Sequence, residues 1–361
     1  MGTAEVDASA QSPLTQRLRL DLAYDGTLFH GWAAQPGLRS VEGEITEVLS
    51  MIARRPVTLT VAGRTDAGVH ASAQTAHVDL PAAVWDSAVR GRSAPSGGNA
   101  ARGATNEPIN NAAPETANDL VTDAASEVGS PQAQDAASNR LAHRINGMLA
   151  RRYAQFYQER GMRVPRGTSD ILIHAARPVS TDFDARFSAT GRTYIYRMSD
   201  GQAARSPLRR HDVLWLGGAS VNVDAMNEAA AALLGEHDFL SYCRPREGAT
   251  TIRTLRTLCF RRDDEGVVEA QVEADAFCHS MVRSLVGAAI EVGSGRREVG
   301  WMAELLAARS REQAAPIAPA HGLTLCRVDY PPAEEWAARA TAARRRRDEV
   351  GVDAGAGECC D

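Results

Sequence analysis

The sequence predicts an α+β fold: two similar mixed or antiparallel-sheet domains, each with helices on one face, meeting around a central cleft. Three observations carry this expectation. Residues 17–80 give a strand, a helix and two strands in that order; residues 182–330 give a similar order without a sequence repeat; both stretches mix two-residue and helical apolar spacing. At 361 residues and 44% hydrophobic, the chain is long enough for two domains with ordinary cores. The expected boundaries are a disordered tail over 1–16, a first domain over 17–181, a second over 182–330 and a C-terminal tail over 331–361.

Arg17 to Tyr24 alternates polar and apolar residues, as a half-buried strand does, and ends at the turn signal Asp25-Gly26. Val41, Ile45, Val48, Leu49 and Ile52 recur at helical spacing, with Ser40 at the N-cap position and Pro56 beyond the end. Val57–Ala62 and Ser72–Leu80 read as the next two strands. Between them, Gly63 and Gly68 bracket a turn able to take backbone angles that other residues resist. Asp66 therefore sits at the tip of a strand-turn-strand, with Arg64 two residues before it, on the kind of scaffolded loop where functional residues concentrate.

Residues 91–139 break the pattern. Of these 49 positions, 32 are Ala, Ser, Gly, Pro or Asn and none is aromatic, so the segment reads as a disordered insertion that buries too little to offset its chain entropy. A short helix is expected over Arg140–Leu149, a second, Arg-rich insertion over 151–169 and a strand over Ile171–Ala175. The second domain starts with strands at Arg192–Met198 and Asp212–Leu216 and a helix capped by Asp224, with Met226, Ala229, Ala230, Leu233 and Leu234 on one side. Strands at Ile252–Arg261 and Val267–Ala274 flank the charged turn Asp263-Asp264-Glu265-Gly266. A helix over Phe277–Val292 buries Met281, Val282, Leu285, Val286 and Ile290 and ends at Gly293 and Gly295. A short helix at Trp301–Arg309 and a strand at Leu323–Val328 close the order.

Composition excludes several classes. No stretch approaches the roughly 18 to 20 apolar residues of a membrane helix. Residues 1–16 lack the basic start and apolar middle of a signal peptide, so the expected location is the cytoplasm, away from membrane. The six cysteines contain no C-x-x-C pair, so zinc spacing is absent and reduced thiols are expected. All forty basic residues are Arg, which grips phosphate in a bidentate fork and stacks on bases as Lys cannot. The net charge of −5 is uneven: segments 1–16, 91–139 and 331–361 carry −2, −4 and −2, which leaves +3 on the rest, compatible with a positive stripe.

The string Ala62-Gly63-Arg64-Thr65-Asp66-Ala67-Gly68-Val69-His70-Ala71 closely resembles the signature of the tRNA pseudouridine synthase A family, in which the Asp matching Asp66 is the catalytic nucleophile. Other segments resemble the family in the expected order: Asp21 to Gly26 with Phe29-His30-Gly31-Trp32; Arg39 to Glu44; Phe183 to Thr190 running into Arg192-Thr193-Tyr194-Ile195-Tyr196-Arg197; Phe277 to Arg283 with Val286-Gly287; Ala320 to Leu323 and Val328-Asp329-Tyr330. Two departures stand out. Glu42 replaces a usual Gln, and Asn146-Gly147-Met148-Leu149-Ala150 lacks the expected Pro.

The resemblance implies tRNA-uridine isomerisation at positions 38, 39 and 40 of the anticodon stem-loop, by a homodimer whose two subunits both touch one tRNA. A C–N glycosidic bond breaks, the uracil turns and a C–C bond forms; with no redox change and no net hydrolysis, neither redox cofactor nor metal is required. Asp66 would be the nucleophile, attacking base or sugar. The resemblance offers Arg283 as its cationic partner, since an ionised carboxylate in a dry pocket needs one. It also places Tyr194 against the uracil, as a stacking group and late proton acceptor. The uridine must leave its stack to be reached, and Arg64 would fill the space or hold the neighbouring phosphate. Arg205, Arg209, Arg210, Arg244 and Arg246 are candidate phosphate contacts, whereas His70, His77 and His237 read as structural and Arg344–Arg347 as solvated charge. Two rivals stand beside this reading: a tRNA-binding or folding protein that keeps the scaffold without catalysis, against which intact Asp66, Arg64, Tyr194 and Arg283 argue, and a two-carboxylate hydrolase, for which no second carboxylate stands in a comparable motif.

Overall fold

The leucines of β1 (Thr15–Tyr24) alternate with charged residues, so Leu18, Leu20 and Leu22 are fully buried on one sheet face while Arg17 and Arg19 point to the other. A computed structural model describes residues 14–91, 130–202, 204–218, 220–245, 250–310, 312, 314 and 316–353. After β1 the chain makes a 3-10 turn capped by Asp25, whose carboxylate accepts from the Thr27 N–H. Helix α1 (Val41–Ala53) follows, with Ser40 Oγ accepting from the Gly43 N–H as its cap. Then come β2 (Leu59–Val61) and β3 (His70–Pro81), which give the expected strand, helix, strand, strand order.

The next region departs from expectation. Helix α2 (Ala82–Arg90), with no counterpart in the sequence reading, follows β3 directly. Residues 92–129 of the expected insertion lie outside the described residues, but its last part does not read as expected: α3 runs over Pro131–Gln158, absorbing 131–139, the short helix and the start of the expected second insertion. The physical reason is capping and packing, which composition hides. Ser130 Oγ accepts from the Ala133 N–H and Pro131 occupies the first turn. Leu141, Ala142, Ile145 and Leu149 are buried, and Arg152 pairs with Glu44 and Glu47 of α1. Arg140 reaches back to the Ala88 and Val89 carbonyls at 2.6 and 3.0 Å, closing the open end of α2. Asn146 stitches α3 to β4 (Ile171–Pro178) through both the N–H and the C=O of Ile173, each at 2.8 Å.

The second half gives β5 (Gly191–Ser199), β6 (Leu214–Trp215), α4 (Val223–Ala231), β7 (Gly235–Asp238), β8 (Ile252–Arg262), β9 (Val268–Ala274), α5 (Met281–Gly293), α6 (Trp301–Ala308) and β10 (Leu323–Asp329). The cap of α4 is Asn222, whose side chain accepts from the Ala225 N–H, rather than the expected Asp224. Within the expected C-terminal tail, helix α7 runs over Trp336–Asp353.

Among the described residues the strands make one sheet, in the order β4-β1-β3-β10-β5-β9-β8-β7, with β2 on β3 and β6 on β5. The two halves join where β10 pairs parallel with the start of β3, Thr324 opposite His70 and Leu325 opposite Ala71. On its other side β10 is antiparallel to β5, with Leu325 opposite Tyr194. All other pairings but β5–β6 are antiparallel, giving the mixed, largely antiparallel sheet of an α+β fold. One apolar cluster runs from Leu18, Val41 and Ile145 through Tyr196 to Met226 and Leu285. Arg19, on the sheet face opposite Leu18, lies over the rings of Phe183 and Tyr330 at 5.6 and 5.0 Å, and Trp336 packs on Phe183 at 4.9 Å. Helix α7 therefore begins on the face that β1 turns away from its leucines.

Candidate active site

Asp66 lies on the turn that feeds β3 into the seam. The Val69 N–H donates to the Asp66 carbonyl at 3.2 Å, and Gly68 takes φ 78°, the left-handed angle that glycine adopts at no steric cost. The turn is tied down from below. Thr65 Oγ1 is 2.8 Å from the Tyr24 hydroxyl, Gln74 Nε2 donates to Tyr24 and to the Gly63 carbonyl, and the Trp32 N–H donates to the Thr65 carbonyl. Burial pushes the Tyr24 phenol up to about 12, so it remains a protonated structural hydrogen-bonding group.

The opposing wall is the start of α5. Ser280, in the left-handed region at φ 63°, donates from Oγ to Asp66 Oδ2 at 3.2 Å. Arg283 Nη1 meets the same oxygen at 3.4 Å, and its Nε donates to the Ala318 carbonyl at 2.7 Å. His279 Nε2 is 3.3 Å from the other oxygen, Oδ1. The carboxylate thus sits at the positive end of a 13-residue helix, a favourable place for negative charge. Arg283 is aimed by a backbone strap. The Ala318 N–H donates to the Arg283 carbonyl, and the strap lies so close to α5 that a Cβ on Gly287 would stand 1.8 Å from the Pro316 carbonyl oxygen. Only glycine fits there.

This geometry corrects one expectation. Helix α5 begins at Met281, not Phe277, so His279 is not a helical neighbour of Arg283. It reaches Asp66 from the bend ahead of the helix. The expected helix from Phe277 would put His279 on one face with Arg283, but neither it nor Ser280 was assigned a contact with Asp66; the available signal was their place inside the same short motif as Arg283.

Tyr194 is 7% exposed, and its ring meets Phe277 edge-on, with centroids 5.3 Å apart. Its hydroxyl has no hydrogen-bond partner among the described residues, and burial, with a small contribution from nearby Tyr24, pushes the phenol well above its usual value. Tyr196, on the same face of β5, is fully buried and donates to the Pro319 carbonyl at 2.9 Å. Arg64 is exposed and makes no ion pair or hydrogen bond among the described residues. Asp66, Arg64, Tyr194 and Arg283 all line one cleft of about 1460 Å³. That is larger than a site for a single small molecule.

The far wall holds Arg192, which sequence reasoning did not select. It is 9% exposed and meets no carboxylate in an ion pair among the described residues; it donates to the carbonyls of Ala62, Asp275 and Arg186 at 2.8, 2.8 and 3.2 Å. Ala62 follows the last residue of β2, just before the Asp66 turn, so this guanidinium ties the turn to β5. Of the candidate phosphate contacts, Arg244 lines the cleft. Arg205 instead donates to the Leu216 carbonyl, Arg209 pairs with Asp212, Arg210 donates to Pro207, and Arg246 lies outside the described residues. His70 and His77 are buried and His237 Nε2 donates to the Leu234 carbonyl, all three away from the Asp66 carboxylate contacts.

Fold and cleft describe a class before they describe a family: an α+β protein with the Asp66 carboxylate met by Arg283, His279 and Ser280 at the seam of a continuous sheet, in a cleft larger than a small-molecule site. Comparisons with known proteins narrow it. A family model described as tRNA pseudouridine synthase matches residues 229–331. The chain is 45% identical to the tRNA pseudouridine synthase A of Frankia casuarinae over 333 residues, 92% of this chain and 95% of that one. It is 43% identical to that of Streptomyces griseus, over 95% of this chain and 96% of that one, and 40% identical to that of Mycobacterium leprae, over 92% and 95%. The chain belongs to the tRNA pseudouridine synthase A family.

Proposed function

We propose that the chain isomerises uridine to pseudouridine in tRNA, with Asp66 as the nucleophile. The observation that carries the assignment of Asp66 is the convergence of Ser280, Arg283 and His279 on one carboxylate at 3.2 to 3.4 Å, inside a cleft that also holds Tyr194. A carboxylate placed beside Arg283 in a cleft open to a base is positioned to act as a nucleophile. The Asp66 side chain is 26% exposed, open enough to meet a base rotated out of its stack. The bond that Asp66 makes is transient and breaks again before release: the C1′–N1 bond breaks, the uracil turns in the cleft, the C1′–C5 bond forms, the C5 proton leaves to water and N1 gains a proton, so atoms and charge balance without a co-reactant.

Tyr194 supports the flipped uracil by stacking, with Phe277 fixing its ring edge-on. The raised phenol favours this role over proton acceptance in the empty cleft. Arg64, unpaired and exposed beside Asp66, takes the place left in the stem or the adjoining phosphate. Recognition of the stem rests on shape and backbone contacts, because the deep groove of an RNA helix hides its base edges; this suits the neighbouring positions 38, 39 and 40 of the anticodon stem-loop. A cytoplasmic homodimer, with one tRNA touching both subunits, completes the proposal.

The experiment is tritium release from tRNA carrying uridine labelled at C5. Wild type should release tritium. Asp66→Asn should abolish release, with tRNA binding and the melting curve near those of wild type. Full activity in Asp66→Asn would remove the mechanism, and tRNA binding by a wild-type protein without release would favour the non-catalytic reading.

A further inference from the structure

Residues 336–347 hold five Arg and no acidic residue, in a chain whose net charge is −5. The segment is the start of α7, and the fold seats it against the cleft. Trp336 packs on Phe183, and its carbonyl accepts from Ser188 Oγ at 3.3 Å. Ala340 is 3% exposed, and Arg344 donates to Asp184 at 2.6 Å while lying 5.0 Å over the Phe187 ring. Asp184 also accepts the N–H groups of Arg186 and Phe187, so one carboxylate shapes the loop at the rim and pins the helix to it. With these residues turned to the sheet, Arg339, Ala342 and Ala343 line the same cleft as Asp66.

Arg339 is the informative residue. It makes no ion pair among the described residues, and its Nε is buried without a partner, while its Nη2 donates weakly to the Ala189 carbonyl at 3.4 Å. It lies close enough to Arg192 to depress that group's pKa, behind burial as the main cause. Arg192 spends its donors on backbone carbonyls with the Asp275 carboxylate nearby, whereas Arg339 lines the cleft with no carboxylate partner among the described residues, a guanidinium able to take an anion. The arginine run at 344–347 continues along the same helix.

We propose that α7 is an arm of the RNA site, whose Arg339 binds the sugar–phosphate backbone of the tRNA that presents its uridine to Asp66. This rests on the tRNA reading above. Small residues at 342 and 343 leave room for the strand to pass, and bidentate Arg contacts suit phosphate.

The test uses the full chain and an unmodified tRNA transcript, with binding followed across a salt series. Arg339→Gln should weaken binding about threefold at physiological salt and reduce the slope of log K against log salt by about 0.8, because a lost phosphate contact removes roughly 0.7–0.9. Gln keeps helix propensity, so melting curves should stay close to wild type. As a second measurement, an azidophenacyl group on Ala342→Cys should crosslink to bound tRNA on irradiation. Affinity and salt slope equal to wild type in Arg339→Gln, or no crosslink at tRNA saturation, overturns the proposal. Binding and tritium release are read on the same samples: loss of release in wild type with the arm's binding effects intact would fault the isomerase reading and not the arm.

Discussion

Across the cleft, two arginines solve the same electrostatic problem in different ways. Arg283 shares the Asp66 carboxylate with Ser280 and His279, remains 19% exposed and takes only one backbone carbonyl, that of Ala318. Arg192 is more deeply buried and spends its donors on three carbonyls from three separate segments. The first arrangement leaves an anion reachable by a ligand; the second consumes the guanidinium in holding the Asp66 turn to β5. Desolvation, the leading cause, draws the Arg192 pKa down, which is the signature of a cation without a full counter-charge. A buried cation near a reactive carboxylate is therefore not by itself a catalytic partner; what else it binds decides.

The contrast can be broken most directly at Arg283. Arg283→Gln should lower the single-turnover rate of pseudouridine formation roughly 100- to 1000-fold, the usual effect of losing one charge-stabilising donor, with little change in the urea midpoint. Arg192→Met should do the reverse in kind. It leaves the Ala62, Asp275 and Arg186 carbonyls short of a donor and should cost about 3 kcal/mol in urea unfolding. If Arg192→Met cut the rate as deeply as Arg283→Gln and left stability untouched, the division of labour would be wrong.

The two tyrosines sharpen the same point on a smaller scale. Tyr194→Ala should lose about 1–3 kcal/mol of tRNA binding or transition-state stabilisation, the range for a stacking platform. Tyr194→Phe should keep most of it, since the hydroxyl has no protein partner; a fall as large as that of Tyr194→Ala would make proton transfer its main role. Tyr24→Phe should instead cost about 1 kcal/mol of stability by removing the partner of Thr65 and Gln74. Smallest is a pH effect at His77. Its Nδ1 accepts from the Ala185 N–H at 3.0 Å, and burial first, then Arg17, lower its pKa from the ordinary 6.5. The unfolded chain then binds the proton more readily, so stability falls as pH drops below about 6.5 and levels off below the folded value. His77→Gln should make stability against pH shallower in that window, checked by urea titrations at stepped pH.

Local signals were reliable where one segment supplies its own reason to fold. The β1 alternation, the Ser40 cap and the turn at Asp263–Gly266 lie where the sequence puts them. The helices that were missed or shortened, α2, α3 and α7, depend on distant partners: Arg140 closing α2, Arg152 reaching Glu44 on α1, and Asp184 holding Arg344. Their own composition is rich in Ala and polar residues, which resembles that of an unstructured linker until those partners are in place. The late start of α5 follows the same rule, because a left-handed Ser280 is stabilised by a carboxylate 214 residues away.

By itself the sequence determined that Asp66 rides a turn between two strands, that Ser40 caps the first helix, and that the chain mixes helices with a largely antiparallel sheet. These follow from spacings of two to seven residues, which backbone geometry converts directly into direction. Only the tertiary structure decided that His279 and Ser280 join Arg283 on Asp66, that Arg192 clamps the turn, and that α7 lines the cleft. Each of those contacts closes between segments far apart in the chain, where the position of one partner is set by everything packed between them, so no local pattern records it.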